Sequence, residues 1–294
     1  MNVNYTDQPP ELIAAALDWV RSGSRVVLAT LVNIEGNAPY PLGTQMLVNE
    51  QGDYLGQMTG GCAERAIADQ ALLALQQERN QAQRYGLGSP FFDIKLPCGS
   101  GIDVYFDCQQ TEPSLLHLLT QLEARQVVPM QVGQYQKTYV PTPRLMLFGQ
   151  GPIMQSLTKL AMATGYDVVC CVQNDDTKAQ LEAHGFCTEP LARAIDIASA
   201  ADSFSAVVSL FHEHDLEIPI LQRAVESPAF YIGALGSKRT HASRLVSLET
   251  QGVKPGLLSK IHGPVGMDID ATTPSQIAVS ILAEMVAVMN RIHG

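Results

Sequence analysis

The sequence predicts an α/β protein in two parts: an N-terminal α+β domain over residues 1–140 and a Rossmann-like domain with a doubly wound parallel sheet over residues 141–294. Three observations lead there. Up to residue 140, hairpin-like strand pairs are mixed with helices. The segment QKTYVPTPR then carries two prolines and no periodic pattern, as a linker does. Beyond it, RLMLFGQGPIMQSLTKLAMATGYDVVCCVQND reads as strand, glycine turn, helix, Gly165 and strand, the opening βαβ unit of a nucleotide-type sheet.

In chain order, residues 10–22 predict a helix, with Leu12, Ile13, Ala16, Leu17 and Val20 near a 3.6-residue period. RVVLATLVNIEG is a β-rich run, and QGD between two apolar runs predicts a hairpin whose approach is barred from helix by Pro39 and Pro41. TGGCAERAIADQALLALQQ predicts a glycine turn feeding a helix. GLGSPFFDIKLPCGSGIDVYFDCQ predicts two short strands joined by PCGSG, followed by a helix over residues 113–125 and a strand near residues 127–132. In the second part, FSAVVSL is a buried-type strand. YIGA is another, passing through Gly233 and Gly236 into a helix with Leu245 and Leu248 on one face. TPSQIAVSILAEMVAVMNR is a final helix, with Gln276 completing a capping box on Thr273. That helix is apolar almost all round, which predicts burial or a homodimer.

Charged residues make up only 16% of the chain, too few for a disordered protein, and the net charge of −10 opposes general nucleic-acid binding. No apolar run is read as approaching the roughly 20 residues needed to span a bilayer, and the N-terminus lacks a signal-peptide pattern. A cytoplasmic protein without a membrane partner is expected. Cys62, Cys98, Cys108, Cys170, Cys171 and Cys187 show no CxxC pairing and are expected to be thiols.

Four places carry candidate chemistry. At the turn before residues 237–250, Gly233, Gly236, Ser237, Lys238 and Arg239 present backbone N–H groups and two cations at a helix start, which suits an anion. The loop HGPVGMDID, with His262 and Asp268, is expected to face a ligand, in a cleft shared with Cys62 and Cys98. Gly60, Gly61, Cys62 and Glu64 form a second strand-to-helix turn, where Cys62 is either a dipole-activated thiol or a small buried residue. Cys98 and Gly99 lie in a glycine-flanked turn that lets backbone approach a ligand.

Gly149 and Gly151 fill two positions of G-x-G-x-x-G, with Met154 at the third and Val172 or Gln173 where a ribose-binding acid would stand. An NAD(P)-dependent oxidoreductase is one reading of that turn. His212, His214 and Asp215 at a strand end could ligate a metal, which leaves a metal-dependent enzyme as another, or simply hydrogen-bond locally.

Taken in order, EGNAPYPLGTQMLV, GGCAE, PCGSG, GQGP, HEHD, YIGALGSKR and HGPVGMDIDATTPSQIAVSILAE resemble the XdhC/CoxI family of accessory proteins for molybdenum hydroxylases, over residues 26–291. The resemblance implies binding of molybdenum cofactor (molybdopterin), support of its sulfuration with a cysteine desulfurase, and delivery to an apo hydroxylase of the xanthine dehydrogenase type. It implies no turnover of the protein's own. It also implies that Gly60, Gly61, Cys62, Glu64, Cys98 and Gly99 belong to the cofactor site.

Overall fold

The computed structural model describes residues 9–90, 99–211 and 214–293. The chain divides into two compact units, Met1–Pro141 and Thr142–Gly294.

The first unit is built on an antiparallel sheet. Helix α1 (Pro9–Arg21) precedes β1 (Val26–Glu35), β2 (Gln45–Asn49) and β3 (Tyr54–Leu55). Helix α2 (Glu64–Gln77) leads to β4 (Gln81–Gly86) and β5 (Gly101–Asp107), and α3 (Glu112–Glu123) to the hairpin β6 (Val128–Val132) and β7 (Tyr135–Tyr139). The sheet order is β3-β2-β1-β5-β4, so β1 is central. Its side chains alternate between two cores. Val27, Ala29 and Leu31 meet Ile67, Ala71 and Leu75 of α2, whereas Val26 and Leu28 join Leu12 and Ile13 of α1 and Leu115 and Leu118 of α3. A strand covered on both faces reads as a continuous apolar run, which is why VVLATL lacks alternation.

Two readings of this unit need correction. The strand paired with β5 is β4, whose QAQRYG has no apolar periodicity and gave no signal. Residues 91–98, where the sequence pattern places that partner, lie outside the described residues. The expected linker QKTYVPTPR is also half strand, since Gln136 to Tyr139 belong to β7. Lys137 is buried there. It donates to the Gly43 carbonyl at 2.6 Å and stands 4.8 Å over the Tyr139 ring, and burial pushes its ammonium down to about 8.

The second unit is a parallel sheet in the order β10-β9-β8-β11-β12-β13. Its strands are β8 (Arg144–Gly149), β9 (Asp167–Val172), β10 (Thr188–Pro190), β11 (Ser205–Leu210), β12 (Tyr231–Ala234) and β13 (Ile261–His262). Helices α4 (Pro152–Ala163), α5 (Asp175–Glu182), α6 (Ala194–Ser199), α7 (His214–Glu226), α8 (Lys238–Thr250), α9 (Pro255–Leu258) and α10 (Pro274–His293) connect and cover them. Numbered within the unit, the order is 3-2-1-4-5-6, that of a Rossmann-type sheet. Leu145 and Leu147 of β8 face the core of α4 and α10, while Met146 and Phe148 face that of α6 and α7.

Helix α10 starts with the expected capping box: Thr273 N–H donates to Gln276 Oε1 at 3.1 Å, and Gln276 N–H to Thr273 Oγ1 at 3.3 Å. The expectation that no segment approaches bilayer length is corrected by this helix, because Pro274–Ile292 is long and apolar enough by length and composition. Here Ala278, Ile281 and Met285 are buried against the sheet and α4, while Val279, Val286 and Ile292 are exposed.

The polar element that locks α7 and α8 to the sheet is an ion pair with no access to solvent. Arg244 Nε donates to Glu217 Oε1 at 2.8 Å, with the two side chains 1% and 2% exposed. Arg244 Nη2 donates to the Leu235 carbonyl at 2.6 Å, and Ser209 Oγ of β11 to Glu217 Oε2 at 3.0 Å. Removing one member of a buried pair strands the other charge. Arg244→Ala is therefore expected to destabilise this unit by about 3–5 kcal/mol, whereas the exposed Lys238→Ala should stay within about 0.5 kcal/mol. Urea unfolding followed by circular dichroism reads the loss, and fluorescence of Trp19, the one tryptophan, reports the first unit as an internal control. An Arg244→Ala midpoint equal to that of Lys238→Ala would contradict the assignment.

Candidate functional site

In the first unit, the sequence-predicted turn is an exposed loop hung on a buried carboxylate. Glu64, the first residue of α2, is 3% exposed. Its Oε1 accepts from Met58 N–H at 3.1 Å and Thr59 N–H at 2.8 Å, and its Oε2 from Thr59 Oγ1 at 2.6 Å, Gly61 N–H at 2.9 Å and Ala63 N–H at 3.3 Å. Burial raises its pKa, but the bonds from Thr59, then its own and the Met58 N–H, outweigh that and hold the carboxyl below its ordinary value. Glu64 thus holds the loop rather than facing outward as a ligand group. What it presents is Gly60, Gly61 and Cys62, all exposed. Gly60 and Gly61 have φ of +73° and +103° with open space where a Cβ would stand, so backbone conformation selects glycine there.

Cys62 lies two residues ahead of the helix, not in its first turn, and its thiol is exposed, which removes the reading of a small buried residue. Gly99 is likewise exposed with φ +65°. Cys98 lies outside the described residues.

In the second unit, the turn after β12 holds the expected residues in two different ways. Gly233 is buried within β12, and a Cβ on it would stand 2.4 Å from Val265 Cγ2 and 2.8 Å from the Tyr231 ring. Its glycine is explained by packing. Gly236 has φ +143°, and a Cβ would stand 2.9 Å from Thr240. Ser237 caps α8, its Oγ accepting from Thr240 N–H at 3.1 Å. The Lys238 and Arg239 N–H groups have no intrahelical acceptor, and both side chains are exposed and unpartnered among the described residues. The Arg244 bond to Leu235 fixes the entry to this turn from below.

The loop that follows is fixed by residues that sequence reading did not select. Glu284 of α10 accepts from Tyr231 Oη at 2.5 Å and Gly266 N–H at 2.9 Å on Oε2, while Oε1 lies 3.2 Å from His262 Nδ1. The Tyr231 ring stacks on the His262 imidazole at 4.6 Å. Burial and then the Glu284 bond push the Tyr231 phenol up, so it stays a donor. A lone Glu in the apolar run SILAEMVAV was the signal available in the sequence. His241 packs against Gly263 beneath the loop, and burial followed by the Arg244 charge lowers its pKa. Asp268 is exposed.

The Rossmann-type turn offers a dinucleotide pyrophosphate no free N–H from Gly151 or Pro152. Gly149 has φ +139°, and a Cβ on it would stand 2.8 Å from the Leu210 backbone. Gly151 has φ +91°, but its N–H already donates to Thr177 Oγ1 at 3.0 Å, and Pro152 next to it has no N–H to offer. Met154 is fully buried in the core under α4. Beside the turn, a cavity of about 320 Å³ is lined by Gln173, Asn174, Asp175, Lys178, Glu189 and Leu191; β9 itself ends on Val172, and Asp175 opens α5 three residues later.

The metal candidate is only partly described. His212 lies outside the described residues, the His214 side chain is not described, and Asp215 is exposed in the first turn of α7. Among the described residues no group of three or more His, Cys, Asp or Glu is placed to hold a metal.

The fold is that of a two-unit α/β protein whose second unit is a Rossmann-type domain. The chain belongs to the XdhC and CoxI family: residues 19–86 match that family's description, and residues 145–285 match the XdhC Rossmann domain. It is 36% identical to the molybdenum cofactor insertion chaperone PaoD of Escherichia coli, over 98% of this chain and 90% of that protein. It is 26% identical to a probable xanthine dehydrogenase component of Bacillus subtilis, over 90% of this chain and 94% of that one. A crystal structure from Bacillus halodurans, described as a xanthine dehydrogenase, shares the fold with a TM-score of 0.75 at 22% identity, over 95% and 96% of the two chains.

Glu64→Gln should lower stability at neutral pH by about 1–3 kcal/mol. A carboxyl held below its ordinary value contributes stability above about 4.5, and that contribution is lost as pH falls through its folded value. Melting temperature against pH should accordingly fall less steeply below about 4.5 for the variant than for the wild type, and parallel acid limbs would refute the carboxylate's role. Titration with NAD or NADP at millimolar concentration should give neither heat nor a melting shift, and a saturable heat would show that the Gly151 turn opens to a pyrophosphate.

Proposed function

We propose that this protein binds molybdenum cofactor, supports its sulfuration together with a cysteine desulfurase, and hands it to an apo hydroxylase of the xanthine dehydrogenase type, without turnover of its own. The observation that carries the reading is the 36% identity over 98% of the chain to a molybdenum cofactor insertion chaperone. The residues suit it. Molybdopterin bears a phosphate, a pterin with several N–H donors and acceptors, and a dithiolene that holds the metal.

A phosphate would be met by the free N–H groups of Lys238 and Arg239, by their cationic side chains and by the α8 dipole. Glycine and thiol at Gly60, Gly61 and Cys62 form a loop that is exposed yet held in one conformation, as handover to a partner requires. We place Cys98, Gly99, Gly236, His262 and Asp268 in the same cofactor-contacting role. The dinucleotide-type reading is not favoured, because Gly151 and Pro152 present no free donor.

The exposed apolar side chains Val279, Val286 and Ile292 along α10 suit a homodimer, and a cytoplasmic location suits a partner to such enzymes.

Protein purified from cells making the cofactor should carry pterin, read as fluorescence after oxidative release. Lys238→Ala with Arg239→Ala should lower retention about tenfold or more through loss of charge-assisted contacts, and Cys62→Ala should lower it without changing the melting temperature. Wild-type protein repeatedly free of pterin, beside a competent family member that retains it, would refute the function.

A further inference from the structure

The cluster around Glu284 does more than close a loop. His262 ends β13 with one ring face against Tyr231 and its Nδ1 against Glu284 Oε1. The carboxylate already accepts from Tyr231 Oη and Gly266 N–H through Oε2, so both its oxygens act as acceptors. Facing an acceptor, Nδ1 carries a proton, and in the neutral form of the ring this leaves the lone pair on Nε2. Nε2 has no protein partner among the described residues, and the side chain is 30% exposed. A partly exposed imidazole with its tautomer and orientation fixed from behind, and its basic nitrogen left over, is an acceptor held ready for something outside the chain. Tyr231, Glu284 and Gly266 come from β12, α10 and the loop, so three elements hold one ring.

We propose that His262 Nε2 accepts a hydrogen bond from an N–H group of a bound polar heterocycle, with Glu284 as the positioning residue that holds the ring in the Nδ1–H tautomer. The inference rests on the cofactor reading above, whose pterin ring supplies such N–H groups. Neither Glu284 nor Tyr231 touches the ligand. The two cations at the start of α8 serve a different chemical group, so the anion site and the acceptor read separate parts of one ligand.

The test begins on the ligand-free full chain. Nitrogen-15 NMR of histidine-labelled protein, taken about two pH units above the ordinary imidazole value of about 6.5, should show His262 protonated at Nδ1 and bare at Nε2, and Glu284→Gln should remove that bias. Diethyl pyrocarbonate should acylate His262, and pterin-loaded wild type should be protected. In pterin retention, His262→Ala should lose about tenfold, the worth of one hydrogen bond to a ligand, while His262→Gln, whose side-chain carbonyl can stand near the Nε2 position, should recover most of it.

An Nε2–H tautomer in the ligand-free protein would overturn the proposal. So would a His262→Ala variant that folds and retains as much pterin as wild type. Wild-type protein without pterin would instead overturn the cofactor reading and this inference with it, and only that outcome removes pterin from the wild type. Should Glu284→Gln fail to fold, the tautomer of wild type and the Ala and Gln pair at position 262 still decide.

Discussion

The second unit depends on a charge pair that water does not reach. Arg244 and Glu217 join α8 to α7, and through Ser209 and the Leu235 carbonyl they join both helices to the ends of β11 and β12. Charges in that position are costly to desolvate, and the pair is tolerated because nearly every donor and acceptor around it is satisfied. The result is rigidity at one place, the strand ends where Gly236 turns into α8. An exposed turn with free N–H groups is useful for binding only if its conformation is settled before the ligand arrives. Arg244 supplies that from the protein side, leaving Lys238 and Arg239 free on the other.

The same arrangement occurs independently in the first unit with opposite charge. Glu64 is buried and accepts from the backbone of Met58, Thr59, Gly61 and Ala63, which leaves Gly60, Gly61 and Cys62 exposed above it. Glu284 repeats it a third time under the loop of His262. In each case a long polar side chain beneath holds backbone in place, and small or reactive groups are displayed above. Glycines divide along the same line. Gly60, Gly61 and Gly99 are exposed and selected by positive φ, Gly233 is buried and selected by contact with Val265 and Tyr231, and Gly149 is held by both, with φ +139° and Leu210 against it.

How much of this was legible follows from the kind of signal each residue leaves. Strand, glycine turn and helix at residues 144–172 and the capping box of α10 were readable because local chemistry dictates them. Strand β4 was not, since QAQRYG takes its place from pairing with β5 rather than from any pattern of its own. Strand β7 was hidden by the prolines that follow it, and Lys137 is buried within it. The acid in GGCAE reads as a ligand group, yet its oxygens turn inward to the loop. Arg244 and Glu284 look like ordinary helix residues, because nothing local distinguishes a buried charge from a solvated one.

By itself, then, the sequence determined the fold class and the Rossmann-type opening, consequences of periodicity and turn chemistry within a few residues, and it carried the ordered motifs that resemble the family. Tertiary structure alone decided which polar groups are exposed and which hold the backbone. Glu64 is spent on its own loop, a choice of side-chain direction that the same residues could have made otherwise. Gly151 donates to a hydroxyl 26 residues away, and His262 is gripped by a carboxylate 22 residues away. Only packing brings such partners within hydrogen-bond reach.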